Sequence, residues 1–238
     1  MKVWNGSAFI DPSFKVWNGS AYVSPKLYFW NGSSYDQLWP EPLTLVGVNS
    51  VLASSITLPA HQPGDLIIVI ASQVGLSTVP TKPSAGGTVP AWVTIDTTSA
   101  AGGMHTARFV ATASNHTSGT WGADAMAAVV LRGQNPSPIG GHAVSASISS
   151  TFTAPSITMT QTDGSSILLH IFTTSIRNGS AWPTPPTGYT SESSVGNTNA
   201  KAVQVLTKDV TTSDGSVAVA AGGGFSVWQA TSMEILAA

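Results

Sequence analysis

From residue 43 onward the chain alternates short apolar, β-branched runs with clusters of Gly, Pro, Asn, Asp and Ser. That is the pattern of strands separated by turns. The runs predict strands at 43–48, 55–58, 65–71, 92–96, 104–112, 125–131, 142–148, 155–160, 166–173, 202–209, 216–221 and 225–236. Pro63-Gly64-Asp65, Thr162-Asp163-Gly164 and Thr212-Ser213-Asp214-Gly215 mark turns between them. Leu66–Ala71 is apolar without a break, as a core strand would be, and no segment carries a helical 3.6-residue period. A dozen strands without helices predict an all-β fold, an antiparallel β-sandwich of jelly-roll-like kind, because stacking sheets hides their apolar faces and manages their edges. Residues 73–91 and 176–200, rich in Ser, Thr, Pro and Gly, are expected to be long loops at one end or edge of that sandwich.

The first forty residues follow another rule. Lys2–Phe9, Lys15–Tyr22 and Tyr28–Tyr35 are near-copies of one phrase, with tryptophans at 4, 17 and 30. A tandem repeat sets architecture before anything else does. Asn-Gly between apolar residues is the signal for a two-residue type I′ turn, so each copy predicts a hairpin, Lys2-Val3-Trp4 against Ser7-Ala8-Phe9-Ile10 in the first. That turn would pair Trp4 with Ser7 and Lys2 with Phe9, gathering Trp4 and Phe9 on one face and Val3, Ala8 and Ile10 on the other. Ordering a copy costs roughly 1–2 kcal/mol per residue, while burying its Trp, Phe and Val returns about 1.5–3 kcal/mol each. One copy cannot stand alone, so residues 1–40 are expected to be ordered by other protein surface: sister subunits, a larger particle or the second domain. The residues of this attachment and oligomerisation segment are Trp4, Asn5, Gly6, Phe9, Trp17, Asn18, Gly19, Tyr22, Trp30, Asn31, Gly32 and Tyr35. Leu38-Trp39-Pro40-Glu41-Pro42 reads as a joint, since proline restricts the backbone and stops strand pairing. The expected domains are therefore 1–40 and a β-sandwich over 41–238.

Composition narrows the class. Only 8% of the 238 residues are charged, against about 25% in an ordinary globular domain, and the formal net charge is −2. No basic stripe predicts a nucleic-acid partner. So little charge suits a subunit locked into an assembly better than a free cytosolic monomer. There is no cysteine, hence no disulfide framework, thiolate metal site or cysteine nucleophile. No apolar stretch approaches the ~20 residues that span a bilayer. Met1-Lys2 leads directly into the repeat without a signal-peptide core, which predicts synthesis in a cytoplasm and no membrane insertion.

Little chemistry is nominated. His61, His105, His116, His142 and His170 lack metal-ligand spacing, though His105 and His116 would converge if their strands paired. Among the few acids, Asp65, Asp163 and Asp214 flank turn glycines and Asp96 and Glu234 lie on strands. No pair is marked out for the two-carboxylate chemistry of a glycosidase. There is no Gly-x-Ser-x-Gly elbow and no P-loop, and Gly222-Gly223-Gly224 leads into a strand, where a bulge or tight loop explains it. No catalytic residue, metal or cofactor is expected. Trp182 and Tyr189 are the candidate ligand-binding residues, since rings on a sandwich loop can stack on sugars; anchoring the loop is the competing role. Trp92, Trp121 and Trp228 are expected to pack inside.

The Trp-Asn-Gly-Ser/Thr-Ala-aromatic repeat near a start Met resembles the N-termini of minor tail proteins of tailed phages, especially those infecting actinobacteria. The rest is similar to a β-sandwich domain of such virion proteins. The fragments carrying that likeness are Pro63-Gly64-Asp65-Leu66-Ile67-Ile68, Trp92-Val93-Thr94, Ala107-Arg108-Phe109, Ala128–Gly133 and Thr153-Ala154-Pro155. The resemblance implies a non-enzymatic virion structural protein that is often a homotrimer. It would be made in the host cytoplasm, docked to other virion proteins by its N-terminus, with its sandwich outward. The chain lacks the collagen-like repeat or long coiled coil of many fibres, which favours a compact tip or decoration piece. The alternatives are a host-attachment module that binds a cell-surface glycan and a capsid decoration protein.

Overall fold

The computed structural model describes residues 42–74, 77–83, 90–174, 185–196, 201–209, 217–220 and 226–238 of a larger unit. In an N-terminal unit it describes 3–4, 6–7, 9–10, 15–23, 25, 27–33 and 35–39. The two units are Met1–Glu41 and Pro42–Ala238. The first holds three separate antiparallel hairpins: β1 (Val3–Trp4) with β2 (Phe9–Ile10), β3 (Val16–Trp17) with β4 (Tyr22–Val23), and β5 (Leu27–Trp30) with β6 (Tyr35–Trp39).

The larger unit is all-β and antiparallel. Its first sheet contains β7 (Thr44–Val51), β8 (Leu66–Gln73), β9 (Val93–Thr98), β10 (Gly103–Val110) and β11 (Ala125–Arg132), in the order β7-β11-β8-β10-β9. Its second contains β12 (Gln134–Ser149), β14 (Ile167–Thr174), β15 (Thr190–Gly196), β16 (Ala202–Asp209) and β18 (Ser226–Ala237), in the order β12-β18-β14-β16-β15. A two-stranded ribbon of β13 (Thr151–Ala154) and β17 (Val217–Ala220) forms a separate ladder that packs on the second sheet. The chain completes one sheet before it starts the other. The joint is the single residue Gly133, at φ 83°, whose carbonyl also accepts the Ala238 N–H at 3.1 Å.

Both sheets have the same plan. In strand order, β7, β8, β9, β10 and β11 occupy the places that β12, β14, β15, β16 and β18 occupy in the other sheet. The registers match as well. Leu66 pairs with Val110 and Leu131 in the first sheet; Ile167 pairs with Asp209 and Ile235 in the second. Leu131 then pairs with Leu45, and Ile235 with Ile139. The register shifts recur at equivalent points, at Ile95 in β9 and Glu192 in β15, and beside Val130 of β11 and Ile235 of β18. Carried along the sequence, this equivalence lays residues 56–73 on 157–174 without a gap. Ile56-Thr57-Leu58 and Ile157-Thr158-Met159 then share one buried–exposed–buried pattern. Across the sandwich β7 faces β15 and β16, and β9 faces β12. Each edge strand thus meets the other copy's opposite edge, as an approximate two-fold axis requires. The equivalent hydroxyls of Ser72 and Thr173 meet near that axis, at 3.0 Å.

Packing explains the apolar runs. Leu66, Ile68, Ile70, Val129 and Leu131 meet Leu169, Ile171, Val205, Met233 and Ile235 between the sheets. The alternate residues of the same strands face outward and are buried too. Ile67, Val69 and Met126 lie beneath Ile56, Leu58, Trp92 and Trp121. Phe172, Leu206 and Ala230 lie with Phe152 and Val217 of the ribbon, and Leu168 lies with Ile157 and Met159. Trp92, Trp121 and Trp228 are all buried, as expected.

Three expectations need correction. Residues 55–58 and 155–160 are extended but form no regular strand, the latter holding an isolated bridge at Ile157. The loop expected over 176–200 contains the edge strand β15, whose Ser- and Thr-rich sequence lacks the apolar beat because its exposed flank needs none. The described part of 73–91 packs over the first sheet: Pro80 O lies 2.9 Å from His105 Nδ1 and Thr81 O accepts the Gly122 N–H at 2.9 Å.

Ile68→Ala and its counterpart Leu169→Ala should each cost about 2–5 kcal/mol. Urea denaturation of the two variants checks this, and similar losses are expected because the positions are equivalent in the shared core.

Candidate functional site

The repeats form hairpins, but the turn sits one residue later than expected. Trp4 pairs with Phe9 and Val3 with Ile10; Trp17 pairs with Tyr22 and Val16 with Val23; Trp30 pairs with Tyr35. Trp4 therefore faces Phe9 directly, and the expected Trp4–Ser7 and Lys2–Phe9 pairs are not formed. The tip is Gly-Ser, with Gly6, Gly19 and Gly32 at φ 101°, 100° and 103°. Glycine first in a two-residue tip supplies the positive φ without steric cost. Asparagine takes a different task. The Asn18 Oδ1 accepts from Ser20 N at 3.0 Å and Ala21 N at 2.9 Å, and Asn31 Oδ1 accepts from Ser33 N at 2.9 Å. An Asn side chain that caps its own turn in this way holds the residue at the strand end, outside the turn's positive-φ position.

Direct pairing stacks the rings. Trp17 and Tyr22 lie 5.3 Å apart at 58°, and Trp30 and Tyr35 lie 5.1 Å apart at 57°. The two hairpins thus repeat one aromatic pair with one geometry. Neither pair is covered: Trp17 is 59% exposed and Tyr22 71%, Trp30 55% and Tyr35 71%. Leu27, Tyr28 and Phe29 are exposed beside them. Asn5 and the side chains of Trp4 and Phe9 lie outside the described residues.

The second candidate site divides. Trp182 lies outside the described residues. Tyr189 is half-buried on the second sheet's outer face, where it takes the place that Trp92 takes on the first. Its hydroxyl is 3.2 Å from His170 Nε2, and Lys208 Nζ stands 4.9 Å from its ring centroid. His170 Nδ1 is 2.7 Å from Ser232 Oγ, which donates to Pro155 O at 2.6 Å. The carbonyl can only accept, so Nδ1 carries the imidazole proton and Nε2 accepts from Tyr189. The equivalent positions of His170 and Ser232 in the first sheet are Val69 and Ala128, so this polar chain is confined to one copy. Sequence reading missed it because the two residues lie far apart in the chain and within apolar runs.

The acids hold backbone. Buried Asp65 receives Arg132 Nε at 2.8 Å and a second guanidinium nitrogen at 2.9 Å, and accepts Gln62 N–H at 2.8 Å. Burial alone would raise its pKa; the Arg132 and Gln62 hydrogen bonds outweigh that and hold it below the usual carboxylate range. Fully buried Glu234 accepts the N–H groups of Gly141, Thr160 and Gln161 at 3.1, 2.6 and 2.8 Å. Burial again works upward, and those three donors bring its pKa down. Asp96 meets His142 at 2.8 Å between the sheets' edges. His116 stacks on His61 at 5.7 Å, while His105 packs edge-on to Trp121. Burial holds His105 below the usual imidazole range. Among the described residues no three acids or histidines group as a metal site, and no helix is long and apolar enough to cross a membrane.

No protein-family model matches this chain, and neither the curated proteins nor the solved structures provide a match.

Since both carboxyl pKa values are lowered by folding, their stabilisation is complete above the unfolded carboxylate pKa of about 4 and is lost as pH falls through the folded value. Thermal melts from pH 7 to pH 2 should show this acid-side loss. Glu234→Gln should destabilise by about 1–3 kcal/mol at pH 7, by setting an amide NH2 against backbone donors, and should flatten the acid limb.

Proposed function

We propose that the protein is a non-enzymatic structural component of a tailed-phage virion, a minor tail protein of actinobacteriophage type. Its N-terminal hairpins dock it to sister subunits and other virion proteins, and its β-sandwich is the displayed part. The observation that carries this reading is the threefold Trp-Asn-Gly-Ser phrase, whose second and third copies present the same uncovered aromatic pair. A hairpin with two to four paired residues per strand is marginal in water. Rings left more than half exposed in a chain of so little charge are surface awaiting a protein partner. Serial copies multiply weak contacts, because each bound hairpin raises the effective concentration of the next. A homotrimer, whose subunits would bring nine such hairpins together, fits this logic.

Removing residues 1–41 should leave the sandwich folded, with its thermal midpoint shifted by less than about 2 °C, and abolish self-association and incorporation into particles. Trp17→Ala should weaken assembly with the same unchanged midpoint. Sedimentation of the purified chains and immunodetection on particles provide the readouts, and a truncated chain that still assembles would overturn the proposal.

A further inference from the structure

A groove of about 510 Å³ opens on the outer flank of the first sheet, beside its edge strand β7. Its walls are Asn49–Val51, the extended stretch 55–58 and the loop 116–120. No Asp, Glu, Lys or Arg lines it. Ser55 and Thr57 are exposed while Ile56 and Leu58 are buried, the alternation of a strand. Yet this stretch joins no backbone ladder. Gly47 lies so close to Pro59 that a Cβ there would meet the ring at 3.0 Å. Further along, the one hydrogen bond to β7 among the described residues is from Asn49 Nδ2 to Thr57 O at 3.0 Å, and Ile56 N–H is satisfied from the other side by Ser118 Oγ at 3.0 Å. The Thr57 N–H has no hydrogen-bond partner among the described residues. The wall holds a second orphan. His116 Nε2 accepts the N–H groups of Thr112 and Ala113, both at 3.0 Å, so Nδ1 carries the proton, and that buried Nδ1 has no partner.

The other half of the sandwich shows what belongs in such a place. The register equivalence puts Val51, in the groove wall, on Ser145 of β12. Ser145 Oγ donates to Thr153 O of β13 at 2.9 Å. There the interval before 156–159 holds an extended Thr-Phe-Thr-Ala strand paired with β17, its Phe152 fully buried. The first copy has no strand of its own in the matching interval.

We propose that the groove is a strand-acceptor site, filled by an extended, uncharged peptide segment of a partner protein that lies along residues 55–58, in the interval where the second half carries its own strand β13. Unpaired edges of this kind bind peptides through main-chain hydrogen bonds, with alternate side chains entering the groove. The absence of lining charge selects a neutral segment, and the site does not depend on the N-terminal repeats.

The test uses the full ¹⁵N-labelled chain and a capped peptide of the sequence Ser-Thr-Phe-Thr-Ala-Pro-Ser, which is that of residues 150–156. Saturable amide shifts at 55–58 and 116–120, with slowed exchange of the Thr57 N–H, are the expected result. Thr57→Pro, which removes that donor, should weaken binding about ten-fold. Thr117→Trp, which fills the groove without touching the backbone, should do at least as much. Absence of shifts in these segments at millimolar peptide would overturn the proposal. So would shifts produced there by a neutral N-acetylglucosamine oligomer and not by the peptide.

Discussion

The sandwich depends on central strands that are apolar on both faces. β8, β11 and β14 have almost no exposed residue along their length. One face of each is satisfied where the sheets meet, but the other would be open to water. The described segments that pack over the sheets close that second face. On the first sheet the work is done by Ile56, Leu58, Trp92 and Trp121, and on the second by Phe152, Ile157, Met159 and Tyr189. Apart from β13, which pairs with β17, the segments that bring these residues down carry backbone groups outside the ladders, and so they need side-chain partners.

Three of the chain's few charges, Asp65, Arg132 and Glu234, address that problem in the covering segments. Glu234 fastens 160–161 and Gly141 through three N–H donors, and Asp65 fixes Gln62 while gripping Arg132. The two copies solve it differently at equivalent positions. Where the first has Asp65, the second has Ser166, and where the second has Glu234, the first has Val130. A repeated sheet can therefore diverge in its covers while its inner face stays constrained by close packing. The proposed strand-acceptor groove lies in just such a diverged cover.

The strand-and-turn pattern was enough to read the all-β sandwich and most of its central strands, because β8, β11 and β14 are mostly apolar. Edge elements were less legible. β15 is Ser- and Thr-rich since one flank is bare, and β13 is only four residues long. The internal duplication went unread because the constraint is on burial, which Leu, Ile, Val and Met satisfy interchangeably; Ile56-Thr57 and Ile157-Thr158 are among the few identities left. The hairpins were legible as hairpins, but the Asn-Gly signal misplaced the turn. An isolated dipeptide preference cannot foresee that the Asn side chain will accept from the N–H groups two and three residues on.

Gly133 has a consequence beyond its conformation. With one residue between β11 and β12, each half of the sandwich is tethered to a mate of nearly its own kind. A neighbouring chain would offer the same mating surface, and the sparse charge erects no electrostatic barrier between molecules. The leash is what makes the intramolecular embrace win by local concentration. Straining it would hand the advantage to reciprocal exchange of halves, and with it to entangled dimers in place of independent sandwiches.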